Sequence, residues 1–246
     1  MRISTARWLA RDVAAASVGL MTGGLVLAFV DRNRVPPSLT NWDFTDVFAG
    51  AQDLTIPVIA FVLASRRPRN PIGWLGLAAS LALATANFAT SYGLRALVAA
   101  PGSLPVGDAA MWVANSIWVI PAAAVAFVFL LFPAGRLRSR RWRPAAWFVA
   151  SVFTLVLVAA MAGATRAYAR PFASFASTQL PGVLRLELAL VPVAMAVSVA
   201  AVAVRFVRSQ GEERLQLKWF ATAAAVVIVT FIPARCSSTG STTSTS

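Results

Sequence analysis

Apolar residues run along this chain in long, almost uncharged blocks, and the charges gather in short connections between them. A helix that crosses the roughly 30 Å hydrocarbon core of a bilayer needs about 20 apolar residues, at a rise of about 1.5 Å each. The blocks predict an all-α, polytopic integral membrane protein with about seven transmembrane helices, at residues 13–30, 47–64, 71–94, 109–132, 144–164, 183–204 and 219–233. The last block stops at Pro233 and is short for a full crossing. The first has the place of a secretory signal peptide. Its apolar run is long, however, and no small-x-small cleavage site leads into a polar start, so a retained anchor is the better reading.

Turn residues mark the boundaries. Pro71 sits where a first helical turn tolerates a missing N–H. Pro101, Gly102, Ser103 and Pro105 make a loop, and Pro133, Ala134 and Gly135 close the fourth block. The chain divides into a cytoplasmic N-terminus (1–12), a transmembrane region (13–233) and a tail (234–246) that after Cys236 holds only Ser, Thr and one Gly. Such a tail has nothing to bury and is expected to be disordered.

Composition agrees with a lipid solvent. Of 246 residues 58% are hydrophobic, mean hydropathy is +0.70, and only 13% are charged. That charged share is about half the usual one for a soluble domain. The net charge of +13 would suit nucleic acid if it lay on one face. It lies instead in clusters between apolar runs, which reads as topology signal facing anionic lipid head groups, with no nucleic-acid partner.

The distribution of these clusters orients the chain. With the N-terminus in the cytoplasm, the inner segments hold Arg2, Arg7, Arg11, Arg66, Arg67, Arg69, Arg136, Arg138, Arg140, Arg141, Arg143, Arg205, Arg208, Arg214 and Lys218. The outer ones hold Arg32, Arg34, Arg95, Arg166, Arg170, Arg185 and Arg235. Inner segments are the richer, as the positive-inside rule requires, and the expected location is the plasma membrane, multi-pass. Asp31, Asp43, Asp46, Asp53, Asp108 and Glu187 lean to the outer side. Trp8, Trp42, Trp74, Trp112, Trp142, Trp147 and Trp219 fall near predicted helix ends, like an interfacial belt, and Trp118 lies deeper.

Few residues offer chemistry. Asp53 falls inside the second block, because 54–64 alone is too short to cross. An ionisable group there is either a proton or cation site or a carboxylate that reaches the outer surface and pairs with a loop arginine. Asn87 and Asn115, with Ser116, either line a polar cavity or bond across helix contacts. Gly19 and Gly23, backed by Gly24, permit close approach to another helix, in the same chain or in a homodimer. There is no histidine and one cysteine, which excludes histidine acid–base chemistry, histidine metal sites and an intrachain disulfide. No nucleotide-binding or hydrolase motif is present. No catalytic residue, metal site or cofactor is expected.

Three segments of the inner face stand together. They are Arg66-Arg67-Pro68-Arg69-Asn70-Pro71-Ile72-Gly73-Trp74-Leu75, then Leu131-Phe132-Pro133-Ala134-Gly135-Arg136-Leu137-Arg138-Ser139-Arg140-Arg141-Trp142-Arg143-Pro144, then Arg208-Ser209-Gln210-Gly211-Glu212-Glu213-Arg214-Leu215-Gln216-Leu217-Lys218-Trp219. In order and spacing, over roughly residues 10–232, they resemble the N-terminal multi-span region of sensor histidine kinases of high-GC bacteria. The resemblance implies a membrane-embedded sensory or anchoring input followed by a phosphoacceptor helix pair and an ATP-binding domain. The present chain has no histidine and no room for either domain, so the expectation is a non-catalytic, truncated or frame-shifted relative. The alternative is a small transporter or channel, with Asp53, Asn87 and Asn115 around one cavity.

Overall fold

The computed structural model describes residues 3–36, 39, 54–132, 135–137, 139–167 and 182–208, and every described element is helical. They are α1 (Ile3–Asp31), α2 (Thr55–Arg66), α3 (Pro71–Leu94), α4 (Gly107–Ile117), α5 (Val119–Leu131), α6 (Arg143–Ala167) and α7 (Gly182–Arg208). A π-helical turn, Arg95–Ala99, continues α3, and a 3₁₀ turn, Arg140–Trp142, leads into α6. Four stretches are long and apolar enough to cross a membrane: Thr5–Asp31, Pro71–Ala99, Gly107–Leu131 and Arg140–Ala162. The predicted span at 219–233, residues 47–53 of the second, the tail, and Asp53, Arg138, Arg214 and Lys218 lie outside the described residues.

Two boundaries depart from the sequence reading. The helix expected to start at 13 starts at Ile3. Its extra turns are held by packing, with Ala6 and Ala10 buried although polar Arg7, Arg11 and Asp12 lie beside them. The block at 109–132 is two helices, α4 and α5, which meet at Trp118. Pro121 explains the break: it has no N–H for the carbonyl of Ile117, and its ring crowds that carbonyl. By contrast α3 begins at Pro71 and ends at Leu94 as the sequence predicts, with Asn70 as N-cap accepting the Ile72 N–H at 3.0 Å.

Within the unit Met1–Val199, α3 is central. It packs on α1 and α2 along one side and on α4 and α5 along the other, and α6 covers α4 and α5. Small residues let the backbones approach. Ala10, Ala60, Ala64 and Leu77 form a cluster shared by α1, α2 and α3, with Val13, Ala14, Phe61 and Trp74 around it. On α1 the buried positions Ala10, Ser17, Met21, Gly24 and Asp31 fall at three- and four-residue steps, with Ala14 and Ala28 completing the series. That is a heptad seam, which keeps one face of α1 on α3 throughout its length. The opposite faces are apolar and outward: Val26 and Phe29 on α1, Val58 and Ile59 on α2, Leu155 and Val158 on α6 are all exposed.

Helix α7 runs from this unit into a second, Ala200–Ser246, and is described by itself. Pro192 lies inside it, and Ser198 Oγ donates to the Ala194 carbonyl at 2.9 Å.

Candidate functional site

The connections gather at two ends of the bundle, and their chemistry differs. At the end that holds the start of α1, the α2–α3 hairpin is locked by its own residues. Gly73 lies so close to Ala64 that an added Cβ would stand 2.5 Å from the Ala64 nitrogen. The Trp74 indole donates to the Pro68 carbonyl at 3.0 Å, and Asn70 N–H donates to the Arg67 carbonyl at 2.9 Å. Gly135, in the left-handed region at φ +69°, seats the α5–α6 connection directly on Asn70 and Pro71. Any side chain there would overlap the Asn70 amide oxygen. From α1, Arg7 Nε donates to the Ser65 carbonyl at 3.4 Å. Arg11 lies over the Trp8 ring at 4.0 Å and pairs with Asp12. Arg66, Arg67, Arg69, Arg136, Arg140, Arg141 and Arg143 belong to these same connections.

The opposite end is built around one carboxylate. Asp31 closes α1 and its side chain is 4% exposed. Arg95, first residue of the π-helical turn, brings Nη1 to 3.2 Å from both carboxylate oxygens. Arg34 Nη1 adds a longer contact at 3.7 Å. The Asp31 carbonyl accepts the N–H groups of Arg34 and Val35 at 2.8 and 3.1 Å. Beside the pair lies a cavity of about 90 Å³ between α1 and α3. Leu27, Ala28, Asp31, Arg32 and Val35 form one wall; Asn87, Thr90, Ser91 and Leu94 form the other. Across the loop, Tyr92 Oη donates to the Pro105 carbonyl at 3.0 Å, and Val106 holds a left-handed φ of 54°. That conformation is strained for a β-branched residue.

No protein-family model, curated protein or solved structure matches this chain. What the site does therefore rests on its own residues.

The two described members of the expected polar set do not meet. Asn87 lines the cavity, with its amide nitrogen 3.5 Å from the Met21 sulfur. Asn115 donates to the Met111 carbonyl of its own helix at 2.8 Å and is not among the cavity residues. Ser116 likewise bonds the Trp112 carbonyl at 2.8 Å. Of the two glycines expected to pack, Gly23 faces the Phe88 ring, and Gly19 is exposed with nothing within 4 Å of where a Cβ would stand. The close approach belongs to Gly24, whose Cβ would meet the Phe88 backbone at 3.1 Å. Sequence reasoning missed the Asp31–Arg95 pair, although both residues close spans that run in the same direction, first and third in the chain, and so end on the same side, which was the available signal.

Proposed function

We propose that this chain is a non-catalytic, membrane-embedded input or anchoring region, of the kind that the sequence resembles in two-component sensor histidine kinases. It lies in the plasma membrane with about seven spans, the N-terminus and the arginine-bearing connections in the cytoplasm against anionic lipid head groups, and the Asp31–Arg95 end outside. The observation that carries this reading is the meeting of the first two resembling segments at one end of the bundle, where Gly135 sits on Asn70 and Pro71. That end also carries Arg7 and Arg66, so basic groups collect on one side, as the positive-inside rule asks.

Single-cysteine labelling tests the orientation. In a Cys236→Ser background, Ser103→Cys is expected to react with a membrane-impermeant maleimide on intact cells, and Ser139→Cys only after lysis. The reverse pattern overturns the orientation. For the role, the chain fused ahead of a soluble kinase core is expected to alter the autophosphorylation of that core when placed in liposomes. Equal autophosphorylation with and without the chain, together with proton or cation flux above that of empty liposomes, would move the reading to a small transporter.

A further inference from the structure

The outer cavity has a mainly apolar lining, but it carries polar groups that helix packing does not use up. Asn87, Thr90 and Ser91 share one face of α3 at spacings of three and four residues. Thr90 donates to its own helix, at the Ala86 carbonyl, and Asn87 reaches only a sulfur. The Ser91 hydroxyl has no partner among the described residues. In lipid such groups normally bond across a helix contact; these three instead line open space.

Charge decides what suits that space. Among the described residues Asp31 is the one acid of the cluster, with Arg95 and Arg34 on its carboxylate, while the Arg32 guanidinium turns to the Phe29 carbonyl and ring. After Asp31 is neutralised by Arg95, the cluster is still positive, which disfavours a metal cation or an amine. The guanidinium fork prefers two parallel N–H contacts to a carboxylate or phosphate. Arg95 gives Asp31 a single nitrogen shared between both oxygens, so its second donor edge is not engaged by that carboxylate. A volume of about 90 Å³ equals roughly three liquid-water volumes. It suits a group of a few heavy atoms.

We propose that this cavity is a binding site for a small oxyanion, a carboxylate or phosphate group, and that Asp31 occupies the oxyanion's place on Arg95. The incoming group takes the Arg95 guanidinium, with Ser91 and Asn87 as further donors. Asp31 is released toward Arg34, and the outer end of α1 loses its tie to α3. Occupancy of the site is thereby coupled to the position of α1. Free small anions and lipid phosphates share this chemistry.

The test uses the full chain in neutral detergent, so its outcome does not depend on the orientation proposed above. Thermal unfolding is followed by the fluorescence of the eight tryptophans, with sodium acetate or phosphate against sodium chloride at equal ionic strength. The wild-type protein is expected to gain melting temperature saturably with acetate or phosphate. Asp31→Asn, which removes the competitor, is expected to start less stable and to half-saturate at a concentration lower by about tenfold or more, since a hydrogen-bonded charge contact is worth at least that factor. Arg95→Gln is expected to abolish the response. If Arg95→Gln does not fold, Ser91→Ala is expected to raise the half-saturating concentration several-fold. Absence of a saturable shift overturns the proposal, and so does a shift that survives Arg95→Gln or is untouched by Ser91→Ala. A response confined to Asp31→Asn overturns it as well, because the native carboxylate then never yields. In nanodiscs of phosphatidylcholine with and without phosphatidylglycerol, acetate should act in both if the source is a free anion. Its effect, present in detergent, should be lost or weakened in the nanodiscs, most with phosphatidylglycerol, if a lipid phosphate fills the site. Both results support the site.

Discussion

Alanine at Gly73 is the sharpest probe of how closely α2 and α3 approach. The new methyl carbon would stand 2.5 Å from the Ala64 nitrogen, 2.8 Å from the Ala64 Cα and 3.0 Å from the Leu63 carbonyl carbon. Ordinary contact begins near 3.4 Å, so the helices must part by roughly 1 Å, a gap that close-packed interiors do not absorb freely. All three atoms belong to the backbone, so no rotamer change relieves the overlap. Parting the helices loosens the cluster of Ala10, Ala60, Ala64 and Leu77. Overpacking of this sort costs about 1–3 kcal/mol. The better helix propensity of alanine returns at most about 1 kcal/mol, and less in the first turn, where Gly73 sits. The net expectation is a loss of about 1–2 kcal/mol. The same substitution at Gly19, with open space around it, should be neutral or stabilising by up to about 1 kcal/mol. Unfolding by sodium dodecyl sulfate from maltoside micelles, read by tryptophan fluorescence, gives both values on one scale. If the two alanine variants unfold within about 0.5 kcal/mol of each other, the close approach of Gly73 to Ala64 is refuted.

Other perturbations separate the remaining contacts. Arg95→Met strands a buried carboxylate and should cost about 3 kcal/mol, the low end for such pairs because Arg95 is 28% exposed; Asp31→Asn combined with it should recover at least about 1 kcal/mol in a double-mutant cycle of melting curves. Asn70→Ala removes the α3 cap and should cost about 1 kcal/mol. Gly135→Ala should cost at least about 1–2 kcal/mol from its left-handed backbone, and the double variant should lose less than the sum, because both residues serve one contact. Ser17→Ala and Ser80→Ala should each cost under about 0.6 kcal/mol in the same denaturation assay. Their hydroxyls already donate to the Val13 and Leu77 carbonyls and stand 3.5 Å apart.

The legible parts of this molecule are those written in neighbouring residues. The bounds of α3 follow from Asn70, Pro71 and the apolar run after them, and the four crossing-length stretches follow from block length. Trp74 was readable as a residue near a helix end, but not as the staple of its hairpin, because the Pro68 carbonyl it bonds is fixed only by the turn between them. Gly19 and Gly23 have different surroundings in this chain, Gly23 against the Phe88 ring and Gly19 open. Two glycines four apart share a helix face, but which face meets α3 is set by the whole seam from Ala10 to Asp31, and that seam passes through Gly24. Asp31 and Arg95 lie 64 residues apart, and only the parallel course of α1 and α3, which both end on this side, brings them together. Asn87 and Asn115 looked alike in sequence and differ in surroundings, since one faces the α1 groove and the other its own backbone.

The π-helical turn Arg95–Ala99 has a consequence for how this end of α3 tolerates change in length. A π turn is an α-helical stretch carrying one residue too many, bulged outward to keep the helices on either side in phase. Removing a residue from a spanning helix ordinarily rotates everything beyond it by about 100°. Removing Val98 instead discards the surplus, leaves Arg95 upstream on Asp31, and lets the segment settle as plain α-helix before Pro101. This short stretch is thus a place where the chain can be shortened without turning the faces of α3 away from their partners.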